Sequence, residues 1–328
     1  MINPGRQISI DAIRDAAAAL RTMRGGAVRT PLVRVDLPAR TGTPDDFELY
    51  LKLEVFQPIG AFKIRGALNV VRQLTPDQLR RGIWTVSAGN AALGVAFAAQ
   101  RAGVRCSVMV ADTAPQAKLA AIERLGAAIV IASYDECWRT VEQHASARMT
   151  GYFIHPFDDD RFIAGNGTAG LEIMEDLPDV SAVVASIGGG GLLSGVTAAV
   201  RAINPKTRVF AAEPETAAPL NASLEAGRPV TFPGWRASFV DGAGGKSVLD
   251  TMWPLVRHLN GSIVVSLDEV AGAIKATAER AHVIVEGAAG CAIAAAQSGR
   301  AGGGKVVAIV SGGNIDLARF ASLVGAQG

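Results

Sequence analysis

Cysteine is scarce in this chain. Its three thiols, Cys106, Cys137 and Cys291, stand far apart among 328 residues. That spacing excludes a disulfide framework and a cysteine-rich zinc site, and a reducing cytoplasm is the expected compartment. Aromatics are few as well: Phe, Trp and Tyr make up 5% of the residues. No dense run of Lys and Arg is interleaved with them, so a base-stacking nucleic-acid surface is not expected. The formal net charge of +2 is too small to mark a polyanionic partner. No uninterrupted apolar run reaches the roughly 18 residues that would suggest a membrane span. The opening Met1-Ile2-Asn3-Pro4-Gly5-Arg6-Gln7 has no apolar core of a signal peptide. What the chain does have is 49% hydrophobic and 19% charged residues, the composition of a globular protein with a large core and about two domains.

Short apolar strands alternate with helical patterns. Asp11 to Met23 reads as a helix and Glu48 to Val55 as a strand. Strands at Ile83 to Ser87, Arg105 to Val110 and Ala127 to Ala132 are separated by helices at Ala91 to Ala102 and Gln116 to Leu125, with a further helix over Asp135 to Met149. A second run has strands at Ala182 to Ile187, Arg208 to Ala212, Ser262 to Val265 and Lys305 to Val310. Its helices span Leu192 to Ala202, Leu267 to His282 and Gly287 to Gln297. Continuous apolar strands alternating with helices predict an α/β fold whose parallel sheets are covered on both faces. Val230 to Lys246, punctuated by Gly and Pro, reads as an irregular loop near a site.

Ligands of such folds bind beyond the carboxyl ends of strands, and four strand ends here carry chemistry. The first leads to Gly60-Ala61-Phe62-Lys63-Ile64-Arg65-Gly66-Ala67, where a lysine at the mouth of a helix and the edge of a core is a candidate amine nucleophile. Taken alone, the block reads more simply as Lys63 and Arg65 being solvated charges at a helix start. The second strand end is Ser87-Ala88-Gly89-Asn90 and the last is Ser311-Gly312-Gly313-Asn314. The most specific signal is Gly188-Gly189-Gly190-Gly191. Four residues without Cβ before a helix let backbone N–H groups turn onto a phosphate. The dinucleotide pattern G-x-G-x-x-G fails there, with Leu193 or Ser194 in its sixth place, and neither Gly245-Lys246-Ser247 nor Gly299 to Lys305 completes a P-loop. One phosphate cradle plus one nucleophilic lysine suggests pyridoxal phosphate.

With these residues in order, the chain resembles the serine/threonine dehydratase family, fold type II of the pyridoxal-phosphate enzymes, with phenylserine dehydratase-like members in view. The resemblance rests on Lys52-Leu53-Glu54, Gln57 and the Lys63 block. It continues through Ser87 to Asn90, His155-Pro156-Phe157-Asp158-Asp159, Ala164 to Thr168, the tetraglycine run, Glu286-Gly287-Ala288-Ala289-Gly290 and Ser311 to Asn314. It implies two domains, each with a mostly parallel sheet flanked by helices. Residues 52–155 would form the small domain carrying the Ser87–Asn90 loop. Residues 1–51 with 156–328 would form the large cofactor-binding domain, with Lys63 at the cleft. It further implies that Lys63 anchors the cofactor as a Schiff base and takes the α-proton, and that Phe62 packs on the ring. Asn90 would meet the phenolic oxygen, with Ser87, Ala88, Gly89, Asn90 and Ala91 around the substrate. Gly188, Gly189, Gly190, Gly191 and Leu192 would cradle the phosphate, Gly242 pass beside the cofactor, and Ser311 face the pyridine nitrogen. Glu286 is expected as a helix N-cap or cation ligand rather than a catalytic acid, Asp158 and Asp159 as solvated turn residues, and Asn314 as a turn or site residue.

The implied reaction is elimination of water from a 3-hydroxy L-amino acid to give a 2-oxo acid and ammonia. A racemase or a β-replacement synthase of the same fold is the alternative, and a non-catalytic cofactor-binding protein is disfavoured because Lys63, Ser311 and the glycines are intact. A homodimer or homotetramer is also implied. Three departures from the family pattern sharpen this. Ala88 stands where racemases carry a second serine. Ala91 and Leu93 stand where the family has His and Gln, which frees apolar volume and sets a bulkier substrate such as 3-phenylserine level with threonine, which remains the substrate if a neighbouring residue fills the gap. Near Glu213 and Ala217, Pro219 replaces the usual carboxylate, which disfavours Mg2+ and leaves a monovalent cation such as K+. The chain stops at Gly328, so the appended regulatory domain of biosynthetic threonine dehydratases, with its isoleucine feedback, is not expected.

Overall fold

The structure, a computed structural model, describes residues 3–38 and 42–325. Ten strands occur among them: β1 Leu32–Val35, β2 Glu48–Leu53, β3 Ile83–Val86, β4 Cys106–Ala111, β5 Ala128–Ala132, β6 Tyr152–Phe153, β7 Ala182–Ser186, β8 Arg208–Pro214, β9 Ser262–Val265 and β10 Lys305–Val310. The helices are α1 Ile10–Thr22, α2 Lys63–Val71, α3 Pro76–Arg80, α4 Asn90–Ala102, α5 Gln116–Glu123, α6 Tyr134–Gln143, α7 Asp160–Asp176, α8 Gly191–Ile203, α9 Pro219–Ala226, α10 Trp253–Val256, α11 Leu267–Ala276, α12 Gly287–Gln297 and α13 Leu317–Gly325.

The strands form two sheets. One has six strands in the order β1-β2-β10-β7-β8-β9, the other four in the order β5-β4-β3-β6. Every pairing is parallel except β1 with β2, an antiparallel edge. The interior strands β7 and β10 are buried along nearly their whole length, the mark of a sheet covered on both faces. The expected division at residue 52 falls inside β2, where Lys52 pairs with Ile309 and Leu53 with Val310 of the large sheet. The smaller sheet draws only on segments between Ile83 and Phe153. Among the described residues no helix is long and apolar enough to cross a membrane.

Two helices end earlier than the periodicity suggests. The helix expected over Asp135 to Met149 stops at Gln143, because His144 takes the left-handed conformation at φ 56°. The helix expected over Leu267 to His282 stops at Ala276, passes through a π-turn over Thr277–Ala281 and is closed by His282 at φ 58°. Single left-handed residues of this kind terminate helices.

Helix α2 carries Lys63 and packs between the two layers. Ile64, Ala67 and Leu68 join a core cluster with Ala92, Val95 and Ala96 of α4 and Phe162 of α7. Beneath it lies a buried ionic network. Arg65 spans Glu54 and Glu172, with Nε 2.7 Å from Glu54 and Nη1 2.7 Å from Glu172, while Lys52 Nζ meets Glu172 at 2.7 Å. Thr168 and Thr30 supply further hydrogen bonds. Two cations balance two anions, so charges that would be costly to bury singly are mutually compensated. Arg65 is therefore not the solvated charge that its place at a helix start allowed.

Candidate active site

Lys63 is the first residue of α2, and backbone pairing fixes it against the end of β10. The Phe62 N–H donates to the Ser311 carbonyl at 3.0 Å and the Gly313 N–H to the Gly60 carbonyl at 2.9 Å. The Lys63 amine donates to the Pro156 carbonyl at 2.6 Å. That carbonyl is held in place by its neighbour: His155 Nδ1 accepts the N–H of Asp158 at 2.7 Å and of Phe157 at 3.2 Å, and its Nε2 meets the Val141 carbonyl at 3.1 Å. Burial lowers the His155 pKa to about 3, so the ring is neutral and Nε2 is the donor. Burial also lowers the Lys63 pKa, to about 8, against the opposing pull of Glu286. Such an amine is partly neutral near pH 7 and so nucleophilic.

Lys63 opens onto a cavity of about 770 Å3. Phe62, Ser87, Ala88, Gly89, Asn90, Ala91, Gly188, Gly189, Gly190, Gly191, Leu192, Gly242 and Ser311 all line it, although they come from strand ends scattered along the chain. The tetraglycine run leads into the first turn of α8. Gly190 has φ +89°, which a side chain resists. A Cβ on Gly189 would collide with the Phe157 ring. The four residues must lack side chains for the backbone to lie there, and the N–H groups of an unfilled helix start favour an anion.

Asn90 begins α4 and is the centre of an amide chain. Its Nδ2 donates to Glu286 Oε1 at 2.8 Å, and its Oδ1 accepts from Asn314 Nδ2 at 2.8 Å. One of its two amide hydrogens remains for a ligand. Asn314 is thereby a cavity residue as well as a turn residue. Glu286 occupies the N-cap position of α12, but its side chain makes no capping bond. It is buried, and burial together with Asp241 raises its carboxyl to about 7. Asp158 and Asp159 are not solvated turn residues either. Burial would raise the Asp158 carboxyl, but hydrogen bonds from Thr251 and Arg6 hold it below the usual carboxylate range, while Asp159 caps α7 through the Arg161 N–H at 2.8 Å.

Glu213 and Ala217 lie apart from the cavity lining. Both Glu213 oxygens accept backbone N–H groups at the start of α9, from Leu220 and Asn221 at 2.8 Å each, and Ser262 adds a hydroxyl. A further set of lining residues went unnoticed in the sequence: Tyr134, Cys137, Trp138 and Val141. The i, i+3, i+4, i+7 spacing of these residues, three of them within the expected Asp135 to Met149 helix, was the available signal, and it reads equally as an ordinary core face.

Two parallel-rich sheets, with a partly neutral lysine opposite a glycine anion cradle at a helix start, define an α/β protein built to hold an anionic carbonyl compound beside an amine. The comparisons give that class its family. The profile described as pyridoxal-phosphate dependent enzyme matches residues 23–312. An L-threonine ammonia-lyase of Thermotoga maritima is 38% identical over 310 residues, which cover 93% of this chain and 76% of that protein. Maize serine racemase superposes with a TM-score of 0.84 at 33% identity, covering 96% of each chain. The processed form of threonine deaminase isoform 2 from Solanum lycopersicum superposes at 0.81 with 28% identity, covering 100% of this chain and 97% of that one. The chain belongs to the pyridoxal-phosphate dependent enzyme family. Its lowered-pKa lysine and its side-chain-free anion cradle on one cavity fit that cofactor.

Proposed function

We propose that this protein is an ammonia-lyase that removes water from a 3-hydroxy L-amino acid of the threonine or serine type. Net, the amino acid becomes a 2-oxo acid and ammonia, because the water lost in elimination is regained when the released enamine hydrolyses. The observation that carries the reading is Lys63: a buried amine with its pKa lowered to about 8, facing the same cavity as the tetraglycine turn and Ser311. Pyridoxal phosphate, when bound, withdraws electrons from the substrate α-carbon and so acidifies its proton.

The remaining roles belong to the chain. Lys63 would anchor the cofactor through its amine and, with that amine free, would accept the α-proton. Gly188 to Leu192 hold the phosphate at the start of α8. Ser87 and the free N–H groups at the start of α4 hold the substrate carboxylate, with Asn90 directing its spare amide hydrogen to the cofactor oxygen. Ser311 would offer the pyridine nitrogen a neutral hydroxyl rather than a carboxylate. That choice limits electron withdrawal and favours prompt departure of the β-hydroxyl.

Two features favour elimination over the alternatives. Ala88 lines the cavity with a methyl where returning a proton to the opposite face needs an acid. The L-threonine ammonia-lyase above supports the same chemistry. Purified holoenzyme given L-threonine or L-serine is expected to release 2-oxo acid and ammonia in equal amounts. Accumulation of the D-amino acid without ammonia would assign a racemase instead. Incorporation of an added thiol without 2-oxo acid would assign a replacement synthase. Ala91 and Leu93 on the cavity wall support the bulkier substrate class, such as 3-phenylserine.

A further inference from the structure

One wall of the cavity has no role in the roles assigned above. Helix α6 contributes Tyr134, Cys137, Trp138 and Val141 to it, the i, i+3, i+4, i+7 spacing that aligns side chains on one helix face. At 1.5 Å per residue that face extends about 10 Å. Its inner end is linked to the reacting amine through the His155–Pro156 segment. The Val141 carbonyl meets His155 Nε2 at 3.1 Å, and the carbonyl of the next residue, Pro156, holds Lys63 at 2.6 Å. Its outer end reaches the rim, where Tyr134 is 44% exposed and the Lys246 ammonium stands 4.9 Å from its ring centre.

The wall is almost wholly apolar. The ionisable lining groups Lys63, Lys118, Asp241, Glu286 and Asp316 come from other elements, and Lys118 is paired with Asp241. Trp138 is half-buried, and its indole N–H has no hydrogen-bond partner among the described residues. Apart from that indole N–H and the Tyr134 hydroxyl at the rim, such a surface offers little to a polar side chain, and it removes an apolar one from water. The cavity of about 770 Å3 is toward the upper part of the roughly 300–1,000 Å3 range of small-molecule sites, so cofactor and a large side chain can share it.

We infer that the α6 wall is the subsite for the substrate side chain, that Trp138 is its specificity-determining residue, and that preferred substrates carry an aromatic group on the β-carbon. The inference rests on the elimination reading of the site. One methylene in an apolar pocket separates substrates by roughly 10–200-fold, so exchanging methyl for phenyl gives at least about a tenfold preference.

The test uses holoenzyme and two ligands without a β-leaving group, L-alanine and L-phenylalanine, each titrated against the visible absorbance of the bound cofactor. L-phenylalanine is expected to half-saturate at a concentration at least about tenfold lower. The ratio of the two half-saturating concentrations should contract at least about tenfold in Trp138→Ala and recover in Trp138→Phe. A preference for L-alanine in the parent, or a ratio unmoved in Trp138→Ala, overturns the subsite. Release of 2-oxo acid is followed separately. Release from L-threonine without any aromatic preference sinks the subsite alone. No release from L-threonine or from L-threo-3-phenylserine sinks the elimination reading, and the proposal with it.

Discussion

The Lys63 amine donates to the Pro156 carbonyl at 2.6 Å, which joins the first residue of α2 to the turn between the small sheet and α7. A single neutral acceptor does little to retain a proton, and burial lowers the amine to about 8. Below that pH most of the amine is protonated and cannot attack a carbonyl. Capture of added pyridoxal phosphate by the cofactor-free protein should therefore quicken about tenfold per pH unit below about 8 and level off above it. Stopped-flow absorbance measures this. A rate still climbing toward the free-lysine value of 10.5 would contradict the assignment. Lys63→Ala should leave no cofactor attached after borohydride reduction, as read by mass spectrometry.

Gly189 and Phe157 make the second prediction. The ring fills the space a Cβ would need, so Gly189→Ala must displace either the ring or the cradle. Cofactor affinity should fall at least about tenfold by equilibrium dialysis, through loss of the aligned N–H donors. Adding Phe157→Leu should restore part of it. Full affinity in Gly189→Ala would show that the cradle tolerates a side chain and does not bind phosphate through close backbone approach.

The parts of this protein that could be read from its sequence are local. The tetraglycine turn announces itself within a few neighbouring residues, Lys63 and Ser311 gain meaning once it stands beside them in order along the chain, and apolar strands alternating with helices lead directly to parallel sheets. What stayed hidden depends on partners distant in sequence. Asp158 looks like a turn residue until Arg6 and Thr251 are found around it. Arg65 looks solvated until Glu172, from α7, arrives beneath it. Trp138 shares its face with Cys137 and Val141, which also pack into a core cluster with Trp84 and Met109, and only the fold shows that the face meets the cavity as well. The early helix stops at His144 and His282 depend on left-handed backbone at residues whose identity signals it weakly.

Arg65 gives a prediction about stability rather than chemistry. It is 2% exposed and carries the charge of two buried carboxylates, Glu54 and Glu172. Removing one member of a buried network leaves uncompensated charge, which costs roughly 3–5 kcal/mol. Arg65→Met should lose about that much in urea unfolding of the cofactor-free protein. Arg65→Lys should lose less, since it keeps the charge but not the two-pronged geometry. Equal losses in the two variants would show that shape rather than charge governs the site.

Glu286 gives the last. Its carboxyl is raised to about 7 by burial and by Asp241, from an ordinary 4.5. Between those values the folded chain binds more protons than the unfolded chain, so stability falls as pH rises through the window and the whole penalty is present above about 7. A shift of this size corresponds to at most about 3 kcal/mol. Glu286→Gln keeps an acceptor for Asn90 but removes the ionisation. The cofactor-free variant should therefore be more stable than the parent at pH 8 by up to that amount, and the difference should shrink to about a quarter at pH 5, closing only below the ordinary 4.5. Denaturant titrations at the two pH values decide it. A variant no more stable than the parent at pH 8 would mean that Glu286 is comfortably ionised, with Asn90 and the Asn314 backbone supplying more stabilisation of the anion than its burial withdraws.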